Sequence, residues 1–135
     1  MYKRQLEEKE RPYANAPSGG PLVQHSLPMM LELSAQGVLP VETVVEKMCH
    51  APARLFGVRD RGFLRTGHFA DIVLVRPADP WTVSKENILY KCGWSPLEGT
   101  AFSHRIVRTL VNGRTVYADG RVDTAHRGAE LEFDR

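Results

Sequence analysis

Arg105-Ile106-Val107-Arg108-Thr109-Leu110-Val111-Asn112-Gly113-Arg114-Thr115-Val116-Tyr117 is the stretch that decides the fold. Two β-rich runs flank an Asn-Gly pair, the strongest short-range signal for a β-hairpin. Toward the N-terminus, Asp71-Ile72-Val73-Leu74-Val75 is a continuous apolar run, expected as a strand buried on both faces. Glycines at 57, 62, 67, 93, 99, 113, 120 and 128 punctuate this half of the chain. Residues 76–100 carry no clear periodicity and are expected as loop with short strands. The second half is therefore β-rich.

The first half reads differently. Leu22, Val23, Leu27, Met30, Leu31 and Leu33 recur at spacings of one, three and four, which predicts a mostly buried helix. Pro28 should kink it or mark a new first turn, and Gly37 is placed to end it. Val41, Val44, Val45 and Met48 predict a second helix from Pro40 to about Cys49, with Pro40 at its first position. A third, short helix is expected from Pro52 to Phe56, stopped by Gly57. Ahead of these, Pro12, Pro17, Gly19, Gly20 and Pro21 forbid a continuous helix over residues 1–21, leaving a long loop. That loop has no strand before it to hang from, so the expected architecture is a piece of a larger fold; a self-contained α+β domain is the other reading.

Composition removes several classes. The chain has 135 residues, enough for one domain. By surface scaling, a native fold of this mass exposes roughly 7,000 Å² and its unfolded chain about 22,000 Å². No disulfide or metal staple is needed for size. Hydrophobic residues make up 42% and charged residues 25%, ordinary globular usage that excludes a disordered tail, a collagen-like repeat or a coiled coil. Lys and Arg total 18 against 16 Asp and Glu, interspersed, so there is no basic stripe for nucleic acid. No apolar run reaches the length of a membrane span, and no signal-peptide h-region follows Met1. Cys49 and Cys92 form no CxxC pair and read as free thiols, so the chain is expected to be cytoplasmic.

Local motifs for chemistry are sparse. His25, His50, His68, His104 and His126 form neither HxH nor HExxH. His25 stands out because it opens a helix beside the glycine loop, although its plain reading is a polar residue on a half-exposed helix start. Ser95 and Ser103 have no base partner nearby in sequence. Trp81 and Trp94 read as packing anchors, and the carboxylates Glu7, Glu8, Glu130 and Glu132 as solvated surface. In Ala16-Pro17-Ser18-Gly19-Gly20-Pro21, two glycines let a ligand approach the backbone, and the helix start that follows is expected to add its dipole. Taken alone, the same pair is a plain turn.

The order of these elements resembles one family. Leu6-Glu7-Glu8-Lys9, Ala16-Pro17-Ser18-Gly19-Gly20-Pro21 and Leu27-Pro28 resemble the segment after the eighth barrel strand of dihydroorotases. His50-Ala51-Pro52-Ala53-Arg54-Leu55-Phe56-Gly57 is similar to the Asn-Pro-Ala-x-x-Phe helix of cyclic amidohydrolases, with His50 where asparagine is usual. Gly67-His68-Phe69-Ala70-Asp71 resembles the family's Gly-x-x-Ala-Asp strand, and Ser95–Gly99 and Val107–Gly113 its closing sheet. The sheet motifs are shared with dihydropyrimidinases and allantoinases; the Glu-Glu-Lys and Ala-Pro-x-Gly stretches point to dihydroorotase.

The resemblance implies an α/β parent, a TIM-like barrel with a small β-domain, whose chemistry sits at the strand C-termini. In that frame residues 1–5 are a lead that does not match the family. Residues 6–57 are the post-strand-8 loop and terminal barrel helices, and 58–135 the C-terminal part of the small β-domain. The implied activity is zinc-dependent, reversible cyclisation of N-carbamoyl-aspartate to dihydroorotate in pyrimidine biosynthesis. The family's Asp-His-Ala-Pro-His motif does not occur here, so no catalytic residue and no zinc ligand is assigned to this chain, and the isolated piece is expected to be inactive. The backbone at the x-Gly of Ala-Pro-x-Gly contacts the substrate ring in the family, which carries over to Ser18 and Gly19. The implied partners are the small-molecule substrate and the rest of the barrel, with neither nucleic acid nor membrane; self-association stays open. Alternatives are another cyclic amidohydrolase, dihydropyrimidinase or allantoinase, or a metal-free dihydroorotase-like structural subunit.

Overall fold

The computed structural model describes residues 6–134, and the expectations for Met1–Gln5 lie outside them. The helices come first: α1 (Leu6–Lys9), α2 (Ser26–Ala35), α3 (Val41–Val45) and α4 (Ala51–Phe56). Four strands follow: β1 (Ile72–Thr82), β2 (Ala101–Val111), β3 (Arg114–Ala118) and β4 (Arg121–Val122). They form one antiparallel sheet in the order β1-β2-β3-β4. The hairpin read from Asn112-Gly113 is present. Both residues have positive φ, 51° and 78°, as a type I′ turn requires, and Val111 pairs with Arg114.

Pro28 lies in the first turn of α2, and the chain leaves that helix through Gly37. The second and third expected helices are one continuous rod. Pro52 has no N–H to give to a carbonyl four residues back, and its ring would crowd it. The helix instead widens into a π turn over Glu46–His50, with the Ala51 N–H reaching back to the Glu46 carbonyl. Pro40 caps this rod in an extended conformation instead of occupying its first turn. A short helix, α1, occupies part of the segment read as loop.

Two expectations about the sheet are corrected. β1 runs on to Thr82 through a register break between Pro77 and Trp81, so part of the region assigned to loop is strand. Nor is the 71–75 run buried on both faces: Val73 and Leu74 are 42% and 46% exposed. Among the described residues β1 is an edge strand, and apolar character alone cannot say whether anything covers it. The reading of Trp81 as a packing anchor holds: its indole N–H donates to the His104 carbonyl at 2.8 Å, and its ring packs on fully buried Phe102.

The sheet is fastened to the helices at a few points. Glu32 of α2 accepts from both the backbone N–H (2.9 Å) and the hydroxyl (2.7 Å) of Ser103 on β2. The tail of the chain returns to the end of α4: Asp134 donates to the Gly57 carbonyl at 2.8 Å, and Arg59 pairs with Glu132 and Asp134. Glu130 and Glu132 lie at the surface as read, but Glu132 is engaged.

Arg61 is 8% exposed and ties the hairpin turn to the strand before it. Its guanidinium donates to Asp71 and, at 2.8 Å, to the Asn112 side chain, with the Phe69 ring 4.1 Å away. Asp71 in turn accepts from the Asn112 N–H at 2.8 Å. Arg61→Met keeps the aliphatic stem but strands both acceptors. Hydrogen bonds to charged groups contribute about 1.5–3 kcal/mol, and Asp71 is partly solvated, so a loss of about 2 kcal/mol is expected in urea denaturation. Arg61→Lys should recover only part of it, because an ammonium cannot bridge two acceptors as a planar fork does.

The accessible surface is 9952 Å², well above the roughly 7,000 Å² of a closed monomer of this mass. Among the described residues the fully buried apolar side chains are few: Pro21, Val44, Val83 and Phe102. Val41, Val45, Met48, Leu55 and Phe56 of the helical rod are all more than a third exposed.

Candidate functional site

The glycine loop is held from one end. The Lys9 ammonium, at the end of α1, donates to the carbonyls of both Pro17 and Gly19. At the other end Pro21 is buried, and Gly20 lies against Pro96. Between these anchors Ser18 and Gly19 are exposed. Gly19 has φ +84°, a conformation that side-chain-bearing residues rarely adopt, and a Cβ there would meet nothing within 4 Å. The loop is therefore a fixed, open strip of main chain. Lys9 is the residue that sequence reasoning left without a role; its place in the Glu-Glu-Lys stretch was the available signal.

The expected help from a helix dipole is not delivered at this strip. α2 begins at Ser26, because Leu22–His25 form a separate turn in which His25 and Ser26 both donate to the Leu22 carbonyl. The dipole acts within about one helical turn, and Gly19 lies several residues upstream.

His25 is not half-exposed. It is fully buried, with ring centroids of Tyr90, Trp81 and Phe102 at 5.7, 6.2 and 6.4 Å. Its Nδ1 is 3.3 Å from the hydroxyl of buried Ser95, a partner 70 residues away that no local motif could reveal. Desolvation holds the imidazole below its ordinary pKa. Beside it, Gln24 stitches the turn to the segment before Tyr90. Its N–H donates to the Tyr90 hydroxyl (2.9 Å), its side-chain amide to the Asn87 carbonyl (2.7 Å), and its side-chain oxygen accepts from Leu89 (2.8 Å).

The remaining histidines are dispersed. His50 stacks on Phe63 at 4.5 Å and faces Glu46 at 3.5 Å; His68 approaches Phe63 edge-on; His104 lies beside Ser103. Among the described residues no three His, Cys, Asp or Glu side chains converge to hold a metal ion, so these residues do not by themselves fit a zinc centre. A groove of about 650 Å³ runs along the sheet past Gln24, Trp81, Leu89, Arg105 and Tyr117, but Ser18 and Gly19 are not on its walls. Among the described residues no helix is long and apolar enough to cross a membrane.

Residues 24–117 match the model of the amidohydrolase family. A dihydroorotase of Geotalea daltonii is 36% identical over 112 residues, covering 83% of this chain and 26% of its own length. An allantoinase of Bacillus velezensis is 41% identical over 103 residues, 76% of this chain and 22% of its own. Among solved structures, an L-hydantoinase (dihydropyrimidinase) from Arthrobacter aurescens superposes with a TM-score of 0.73 at 33% identity, covering 82% of this chain and 25% of its own. The chain spans less than a third of the length of the curated relatives it matches.

Proposed function

The chain belongs to the amidohydrolase family, and on that premise we propose that it is the C-terminal portion of a dihydroorotase, which interconverts N-carbamoyl-aspartate and dihydroorotate in pyrimidine biosynthesis. Residues 6–57 then form the loop after the last barrel strand and the closing barrel helices, and 58–135 part of a small β-domain. The rest of the barrel is the partner that covers the exposed side of the helical rod. Zinc dependence, in this reading, belongs to the parent protein, with its ligands outside this chain.

The observation that supports the reading most is the clamped loop. Lys9 holds the Pro17 and Gly19 carbonyls and leaves Ser18 and Gly19 exposed. A flat ring of alternating C=O and N–H groups is matched by main-chain groups in a fixed conformation, without a side chain between them. Ser18 and Gly19 bind the ring; Lys9 is a positioning residue that keeps the strip in place.

Allantoinase is the second reading, favoured by the 41% identity to the Bacillus velezensis protein. Steady-state turnover of dihydroorotate, allantoin and dihydrouracil by the metal-loaded parent separates them. A kcat/KM for dihydroorotate about 100-fold above the other two is expected, and a preference for allantoin would replace the first reading with the second. The 135-residue chain alone should turn over none of them and take up no stoichiometric zinc.

A further inference from the structure

The buried His25 ring has a role that does not depend on the reaction proposed above. One of its nitrogens, Nε2, is enclosed and has no hydrogen-bond partner, while Nδ1 meets the Ser95 hydroxyl. Three aromatic rings make up the rest of its surroundings. A neutral imidazole tolerates such a site. An imidazolium would bring a second N–H and a full charge into it with nothing to accept either.

We propose that His25 is an acid-sensitive latch: protonation of its ring releases the Pro21–His25 turn from the aromatic box of Trp81, Tyr90 and Phe102 and opens the seam between the helices and the sheet.

Burial is the cause of the lowered His25 pKa, with no charged group of the surrounding elements contributing to it. On the 85–92 segment the charged and titratable groups are Lys85, Glu86, Tyr90, Lys91 and Cys92. Tyr90 is pushed up by burial and receives the Gln24 N–H. In the following turn, Glu98 accepts from the Ser95 N–H at 3.2 Å. On β1 they are Arg76 and Asp79, and on β2 His104, Arg105 and Arg108, with Arg105 stacked on Trp81 at 5.3 Å. On α2, Glu32 is committed to Ser103.

Glu32 also explains why the latch is one-sided. Its hydrogen bonds from Ser103 hold its carboxyl below the usual range, so this second fastening resists acid better than an ordinary carboxylate would. The folded-state pKa of His25 is lowered, so its contribution to stability is complete above the unfolded value of about 6.5 and is lost as pH falls below it. Acid is therefore expected to loosen the Gln24–Asn87–Leu89 stitches beside His25.

The test is amide hydrogen exchange of Gln24 and Leu89 in the Met1–Arg135 chain between pH 7 and pH 5, corrected for intrinsic chemistry, together with an NMR titration of the His25 ring. The expected result is loss of protection at both amides by about ten-fold or more on acidification, with little change in the Asn112-Gly113 hairpin. His25→Phe, which keeps a flat ring and all four other histidines, should remove that pH dependence. Equal pH dependence in wild type and His25→Phe would overturn the latch. So would a His25 ring that titrates at its ordinary value with both amides still protected. Should His25→Phe fail to fold, the wild-type titration and exchange decide the matter alone.

Discussion

Gly62→Ala is expected to cost the fold about 2–5 kcal/mol, a large share of the roughly 5–15 kcal/mol by which native domains are stable. Two effects add at this position. Gly62 has φ +80°, where an L side chain costs about 1–2 kcal/mol. A Cβ would also stand 2.4 Å from the Ala53 Cβ and 2.9 Å from the Cys49 carbonyl oxygen, both on the helical rod. Neither neighbour is the far end of a flexible side chain, so the backbone after α4 must move, and overpacking of this kind costs about 1–3 kcal/mol. Gly67→Ala separates the two effects. Gly67 has φ +87° with nothing within 4 Å of a Cβ, so it should lose only the conformational part. Urea denaturation of the two variants measures the difference; equal losses would mean that the close approach of residue 62 to α4 is unimportant.

On the proposed dihydroorotase reading, Gly19→Val in the parent should lower kcat/KM for dihydroorotate by ten-fold or more, against little change for Ser18→Ala or Glu130→Ala. Room is not what limits the loop, because a Cβ at 19 meets nothing. The cost is conformational. At φ +84° a β-branched residue is strained, and the backbone relieves that strain by turning the peptide groups on either side. Turning them breaks the Lys9 contact with the Gly19 carbonyl and moves the main chain offered to the ring. Each hydrogen bond lost is worth about 0.5–1.5 kcal/mol, and two such losses reach the ten-fold mark of about 1.4 kcal/mol. Steady-state kinetics on folded, metal-loaded variants reads the effect. Wild-type kinetics for Gly19→Val would reduce the loop to a plain turn.

Where local chemistry dictates structure, the residues were legible in advance. Asn112-Gly113 could only be a tight turn between two strands, and Pro28 and Gly37 mark the limits of α2. What sequence could not supply was distance across the chain. Ser95 has no base near it in sequence, yet the fold sets it 3.3 Å from His25. A histidine at a helix start gives no sign that Trp81, Tyr90 and Phe102 will close around it. Burial of β1 was misjudged for the opposite reason: its residues are apolar enough for a central strand, but only one neighbour pairs with it among the described residues. The merged helical rod was hidden because Pro52 reads as a start, whereas a π turn carries the helix past it. For the proposed substrate strip, Ser18 and Gly19 follow from resemblance alone, whereas the Lys9 contacts with Pro17 and Gly19 follow only from the fold.

The outer margin of β1 bears on solubility. An unpaired strand edge is a template on which another chain can add, and fibril-forming segments need about six or seven residues of strong β-formers without proline. In β1 that run is cut short. Asp71 precedes Ile72–Val75, Arg76 follows it, and Pro77 and Pro80 then remove two N–H donors from the continuing strand. Register breaks after Leu74 and after Pro77 twist what remains away from a flat profile. This strand thus carries its own charged and proline gatekeepers, and its edge is too short and too irregular to seed cross-β stacking.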